Sequence, residues 1–195
     1  MIKDFIFSIT SNLYPKSTLN IYGSTLFKLD IESSDLDLCI TTPDSRASLT
    51  DLIIYFSGSN INKETYKSIT PILTASVPVI KLVINPLKLG IHKINEFYKA
   101  IHSSNYYTNY LFNHDEIDLI KVDITINSIN PNQIAYVNNN LCIYPEMRPL
   151  IKIIKRLLYS KYLNNPYKGG MSSYCLFILV LSYMKWHISI NSVKK

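Results

Sequence analysis

The chain predicts an α+β fold, a mixed β/α unit followed by a helical one. Three observations carry that expectation. Short apolar segments with two-residue alternation continue to about residue 127. The clearest is "LIKVDITIN" (119–127), with Val122, Ile124 and Ile126 on one side and Lys121, Asp123 and Thr125 on the other. Beyond residue 130 the period becomes helical, with Met147, Leu150, Ile151, Ile154, Leu157 and Leu158 on one face. No repeat or low-complexity linker interrupts the 195 residues, a length suited to one large domain or two small ones sharing a core.

Taken in order, Ile2, Phe5, Ile6, Ile9 and Leu13 follow helical spacing and predict an amphipathic helix that stops before Pro15. "TLNIYGS" reads as a short strand running into a Gly-Ser turn, and "SDLDLCIT" as the next strand, stopped by Pro43. In "SRASLTDLIIYF" the residues Leu49, Leu52, Ile53 and Phe56 share a helical face. Residues 57–70 are polar and read as a loop, "VPVIKLVI" (77–84) as an apolar strand, and 102–116 as a loop or irregular excursion. The helix in "PEMRPLIKIIKRLLYSKYL" is separated by Gly169-Gly170 from a second one, "SSYCLFILVLSYMKWH". The expected organisation is a helix at 1–16 that packs with the later helices, a β/α domain at 17–130, and a helical domain at 131–195.

Hydrophobic content of 47% with 17% charged residues excludes a disordered chain. A net charge of +6 favours polyanionic partners such as nucleic acid or nucleotides. Three scattered cysteines, Cys39, Cys142 and Cys175, point to a reducing compartment and away from a disulfide framework or zinc site. The start lacks a secretory pattern, and the most apolar run, "YCLFILVLSYM" (174–184), is too short to span a membrane. His92, His102, His114 and His187 have no spacing suited to a metal or a catalytic dyad, and Trp186 reads as core or interface.

Asp35 and Asp37 stand two apart in a strand, so both project to one side while Leu36 and Leu38 turn into the core. Asp is a poor strand former and neighbouring like charges repel, so such a pair sits at a solvated edge or is neutralised by cations. A third carboxylate, Asp123, occupies the corresponding side of another apolar strand. Three strand aspartates suit Mg²⁺, which takes a few carboxylates together with substrate phosphates, and two such ions suit in-line attack on phosphorus. Gly23-Ser24, directly after a strand, offers backbone N–H groups and a hydroxyl to phosphate. Ser172-Ser173 opens a helix whose N-terminus attracts phosphate, Tyr174 offers a flat face to a base, and Lys155 a point charge.

Gly23-Ser24, then Ser34-Asp35-Leu36-Asp37-Leu38, then Val122-Asp123-Ile124-Thr125 resembles the DNA polymerase β-like nucleotidyltransferase superfamily. Within it the chain is most similar to TRAMP-type noncanonical poly(A) RNA polymerases and their terminal uridylyltransferase cousins. "ASVPVIKL" (75–82) and the stretch from Arg148 to His187 carry that narrower likeness. The resemblance implies a polymerase β-like palm with a mixed sheet and flanking helices, followed by part of a helical central domain, C-terminally truncated. It implies Asp35, Asp37 and Asp123 as ligands of two Mg²⁺ ions, with Mn²⁺ as a substitute, and Asp123 also as acceptor of the RNA 3′-hydroxyl proton. Gly23, Ser24, Lys155 and Ser173 would contact the triphosphate and Tyr174 the incoming base.

The implied activity is template-independent addition of nucleotides, AMP from ATP first of all, to RNA 3′ ends. Tyr159 stands where many uridylyltransferases carry a second phosphate-binding lysine, which favours ATP over UTP. The implied setting is the nucleus or the cytoplasm, the nucleus first, with an RNA-binding protein partner and no membrane. Relatives usually carry Gly where Lys28 stands, so the loop here is expected to differ in shape. They also continue into further helices, so the apolar helix at 174–184 is expected to be partly exposed and to favour self-association. A terminal uridylyltransferase, and an inactive relative that binds nucleotide or RNA or acts as a scaffold, are the alternatives. Transfer to a non-RNA acceptor is a third, disfavoured by the long helical likeness after residue 145.

Overall fold

The computed structural model describes residues 2–58, 65–85 and 119–193. In chain order the elements are α1 (Ile2–Leu13), β1 (Thr18–Ile21), the short α2 (Gly23–Leu26), β2 (Leu36–Thr41) and α3 (Leu49–Ser57). They continue with β3 (Tyr66–Ile72), β4 (Val79–Ile84), β5 (Ile120–Ile126), α4 (Pro131–Ile143) and α5 (Met147–Ser160). A 3₁₀ turn at Pro166–Lys168 precedes α6 (Ser173–Val193). Two compact units divide the chain, one of residues 1–21 and 35–128, the other of 22–34 and 129–195.

The first unit is built on a five-stranded sheet in the order β1-β2-β5-β4-β3. Among the described strands only β2 and β5 run parallel; the other neighbours are antiparallel. The period of two sorts the residues. Leu38, Ile124 and Ile80 align across the three central strands, as do Leu36, Val122 and Leu82. That apolar face packs with Ile6 and Ile9 of α1 and Leu49, Leu52 and Phe56 of α3 in one buried cluster. Burial of such side chains contributes about 1.5–3 kcal/mol each. Ser48 caps α3 by accepting from Thr50 N–H at 3.1 Å. Asn127 ends β5 in the left-handed region (φ 48°), a conformation Asn tolerates. Its side chain accepts from Thr42 N–H and donates to the Thr42 carbonyl, tying the ends of the parallel pair together.

The second unit has its own core, in which Leu29, Val137, Leu141, Met147, Ile151, Leu176, Phe177, Val180 and Leu181 are buried together. Asn130 caps α4 by accepting from Asn132 and Gln133 N–H, with Pro131 in the first turn, where its missing N–H costs nothing. The hairpin before α6 depends on Gly170. A Cβ there would stand 2.4 Å from the Leu163 carbonyl oxygen.

Several expectations need correction. Helix α1 packs on the sheet, not with the later helices, because Ile6 and Ile9 meet Leu19, Leu38 and their neighbours in the sheet's core. Residues 22–34 belong with the helical unit. The polar stretch 57–70 runs into the strand β3, which begins at Tyr66 and lies at the sheet edge, where polar side chains face solvent. The segment 131–143, which carries no clear apolar period, is a helix. The expected Gly-Ser turn is the first half of α2. Leu157 points outward, 57% exposed, and Trp186, at 59%, is not in the core. In α6, Leu176, Phe177, Val180 and Leu181 are buried while Leu179 and Tyr183 are exposed. The loop expected at 102–116 lies outside the described residues, as do His92, His102 and His114. No helix among the described residues is long and apolar enough to cross a membrane.

Candidate active site

The polar face of the sheet carries one rung of charge. Asp37 on β2 is the register partner of Asp123 on β5, and Asp123 is the register partner of Lys81 on β4. Each lies between residues that turn to the opposite, apolar face: Leu36 and Leu38, Val122 and Ile124, Ile80 and Leu82. Asp35 immediately precedes β2 and shares the parity of Asp37. Backbone pairing thus brings Asp37 and Asp123 to one side of one sheet, and Asp35 joins them from one residue before β2. Asp35 stands just outside the strand in which it was expected.

Lys81 joins two of them. Its ammonium donates to Asp123 Oδ2 at 2.5 Å and to Asp35 Oδ2 at 3.2 Å. The Asp123 side chain is only 16% exposed, while those of Asp35 and Lys81 are 34% exposed. Burial raises the Asp123 carboxyl above its ordinary range; the Lys81 hydrogen bond and charge pull it down, and the charge of Asp35 pushes it up again. For Lys81, burial works against the ammonium, but its bonds and charge attraction to Asp123 and Asp35 outweigh that and raise its pKa. Sequence reading missed Lys81, although a single Lys in the apolar run "VIKLVI" was the signal.

The other candidates belong to the helical unit. Gly23 opens α2 with φ 63°, a left-handed conformation open to glycine at little cost, and Ser24 is buried beside it. The Ser24 carbonyl accepts from Leu29 N–H at 2.9 Å. Lys155 on α5 donates to the Leu29 carbonyl at 3.0 Å and to Ser34 Oγ at 3.3 Å, so it ties the segment 22–34 to the helix. An exposed Arg156–Glu32 ion pair adds a second tie. Ser172, not Ser173, caps α6, accepting from Cys175 N–H at 3.1 Å, which leaves the Ser173 hydroxyl on the exposed first turn. Tyr174 is 43% exposed and stacks on the buried Phe177, ring centroids 6.2 Å apart and 22° from parallel.

Hard carboxylate oxygens are the donors that Mg²⁺ or Mn²⁺ takes, and the Lys81 ammonium shows that Asp35 and Asp123 are placed to hold a cation. In kind the residues fit a divalent ion. Among the described residues, however, no group of three or more His, Cys, Asp or Glu is arranged to hold a metal ion. Two of the three aspartates are tied to Lys81.

Comparison with known proteins gives a consistent family. The model of the central palm domain of mitochondrial-like poly(A) RNA polymerases matches residues 1–105, more than half of the chain. The chain is 29% identical over 181 residues to the poly(A) RNA polymerase cid14 of Schizosaccharomyces pombe, covering 92% of itself and 22% of that protein. It is 24% identical over 197 residues to the inactive non-canonical poly(A) RNA polymerase protein Trf4-2 of Drosophila melanogaster, covering 97% of itself and 39% of that protein. The chain therefore spans well under half the length of these relatives. Its fold is similar to the polymerase core of TRAMP, an RNA surveillance complex, with a TM-score of 0.66 and 22% identity over 93% of this chain and 47% of that one.

Proposed function

The chain belongs to the poly(A) RNA polymerase family that has the mitochondrial-like central palm domain, and on that premise we propose that it adds nucleotides, AMP from ATP first of all, to RNA 3′ ends. The observation that carries this reading is the rung in which Asp37 and Asp123 face each other on parallel strands, with Asp35 on the same side. In the proposed reaction the RNA 3′-oxygen bonds to the α-phosphorus of the nucleotide. The bond between the α-phosphorus and the bridging oxygen breaks, pyrophosphate leaves, and the hydroxyl proton passes to Asp123. Asp35, Asp37 and Asp123 would hold Mg²⁺ or Mn²⁺, which when bound neutralises phosphate charge and acidifies the attacking hydroxyl. Gly23, Ser24, Lys155 and Ser173 are the residues proposed for the triphosphate. Tyr174, already backed by Phe177, presents its exposed ring area to a base. A nuclear or cytoplasmic setting, the nucleus first, and an RNA-binding protein partner belong to the same proposal.

A second reading, an inactive binding relative, is favoured by the tie of Lys81 to two of the three aspartates and by the likeness to a protein named inactive. Primer extension separates the two. The chain is incubated with a labelled oligo-RNA, Mg²⁺, and ATP or UTP separately, beside Asp123→Ala. The expected outcome is extension with ATP, lost by at least about a thousandfold in the variant, since removal of a catalytic base and ligand costs several kcal/mol of barrier. Extension with UTP alone would assign a uridylyltransferase. Nucleotide binding without extension would favour the inactive reading.

A further inference from the structure

We propose that Lys81 is a resident counter-cation of the aspartate cluster: without metal its ammonium holds Asp35 and Asp123, and a divalent cation binds by displacing it. This rests on the reading of those aspartates as metal ligands. Lys81 is placed by the sheet, not by a loop. It is the register partner of Asp123 in the antiparallel β4–β5 pair, between Ile80 and Leu82, which are buried at 0% and 1% exposure. A one-residue slip would turn it into the apolar core, so register fixes the charge on the aspartate face.

The electrostatics explain why a cation is needed there. Asp123 is largely buried and has Asp35 as a like-charged neighbour. A buried carboxylate without a cation is strongly destabilising. The ammonium meets that need with bonds to both carboxylates. It does not neutralise the pair it holds, because one positive charge faces the two carboxylates of Asp35 and Asp123. The residual negative charge favours a divalent ion over the ammonium. Lys suits the exchange, since a point charge on a flexible four-carbon stem can withdraw toward solvent, where a guanidinium fork would hold two oxygens more rigidly. Its side chain is already 34% exposed.

The test is direct Mn²⁺ binding, followed by the loss of the free-ion electron paramagnetic resonance signal, for the unaltered chain and for Lys81→Met, which keeps the stem and removes the charge. The expected result is about tenfold or more tighter Mn²⁺ binding in Lys81→Met, because a positive charge no longer competes at close range. Its melting temperature without metal falls below that of the unaltered chain, and the gap closes as Mn²⁺ is added. Binding only in the variant also supports the proposal. Equal or weaker binding in the variant, with clear binding in the unaltered chain, overturns the counter-cation role and leaves the metal reading standing. No binding in either removes the metal reading and the inference with it. Should Lys81→Met fail to fold, amine acylation of the unaltered chain serves, with mass spectrometry reporting at Lys81. Several-fold faster labelling with Mn²⁺ supports displacement, and an unchanged or slower rate overturns it.

Discussion

Lys28 holds φ 58°, and its N–H reaches back to the Thr25 carbonyl at 3.2 Å. A side chain in this left-handed region costs about 1–2 kcal/mol, a cost that Gly does not incur. The chain needs this conformation to close the turn after α2, a place where Gly is the residue expected. Gly would relieve the strain but leave a more flexible unfolded chain, a loss of about 0.4–1 kcal/mol. Lys28→Gly is therefore expected to be neutral or stabilising by up to about 1 kcal/mol in urea unfolding. Lys28→Val, β-branched and poorly suited to positive φ, is expected to destabilise by about 1–2 kcal/mol. A destabilised glycine variant would show that the Lys28 side chain supports the fold by contacts that outweigh the strain. The aspartates were legible at this scale because carboxylates in apolar strands violate propensity. Lys81 was passed over because a lysine in an apolar run looks like a solvated side chain until register sets it opposite Asp123.

Helix α1 shows what elements add to residues. Its periodicity announced an apolar face, but a period cannot say which surface that face will cover; the sheet took it. Tyr14, just past the helix and 4% exposed, helps fix that docking by donating to the Ser48 carbonyl at 2.6 Å, at the start of α3, and lying 3.2 Å from Asp51 Oδ2. Burial, and then the charge of Asp51, push its hydroxyl up to about 12 from 10.0. The raised value means that the protonated hydroxyl contributes stability in full below pH 10, lost progressively as pH rises toward 12. Tyr14→Phe is expected to cost about 1 kcal/mol at neutral pH and to unfold less steeply between pH 10 and 12. An unchanged neutral stability would mean that water replaces the Ser48 contact without loss. Strand β3 and helix α4 escaped sequence reading for a related reason. β3 is an edge strand with many polar residues, and in α4 the apolar residues do not fall on one face, Val137, Asn140 and Leu141 being the buried ones, so neither carries a strong apolar period. The hairpin before α6 was legible through its glycines, and Gly170→Ala would force a Cβ to within 2.4 Å of the Leu163 carbonyl oxygen. Backbone on both sides cannot give way cheaply. A loss of about 2–4 kcal/mol is expected for that variant in thermal or urea unfolding.

At the scale of the whole molecule the chain sets 20 Lys and Arg against 14 Asp and Glu. Three of those acids are the aspartates proposed for the chemistry, so the surface left to meet a polyanion is more basic than the net charge of +6 suggests. Attraction of that kind acts on the phosphate backbone, releases counterions and carries no sequence preference. Oligo-RNA affinity, measured by fluorescence anisotropy, should therefore fall with salt. For about three phosphates contacted the slope is roughly −2, which corresponds to a loss of about tenfold to twentyfold between about 50 and 200 mM KCl. The aspartates act in the opposite sense, since negative charge repels the strand unless cations screen it. Asp123→Asn is thus expected to bind RNA at least as tightly as the unaltered chain, with the same salt slope, while losing extension. Weaker binding in that variant would mean that Asp123 holds the fold or the RNA directly and not the reaction alone. Binding indifferent to salt would remove the charge of the chain as the source of its affinity and transfer RNA recognition to a partner.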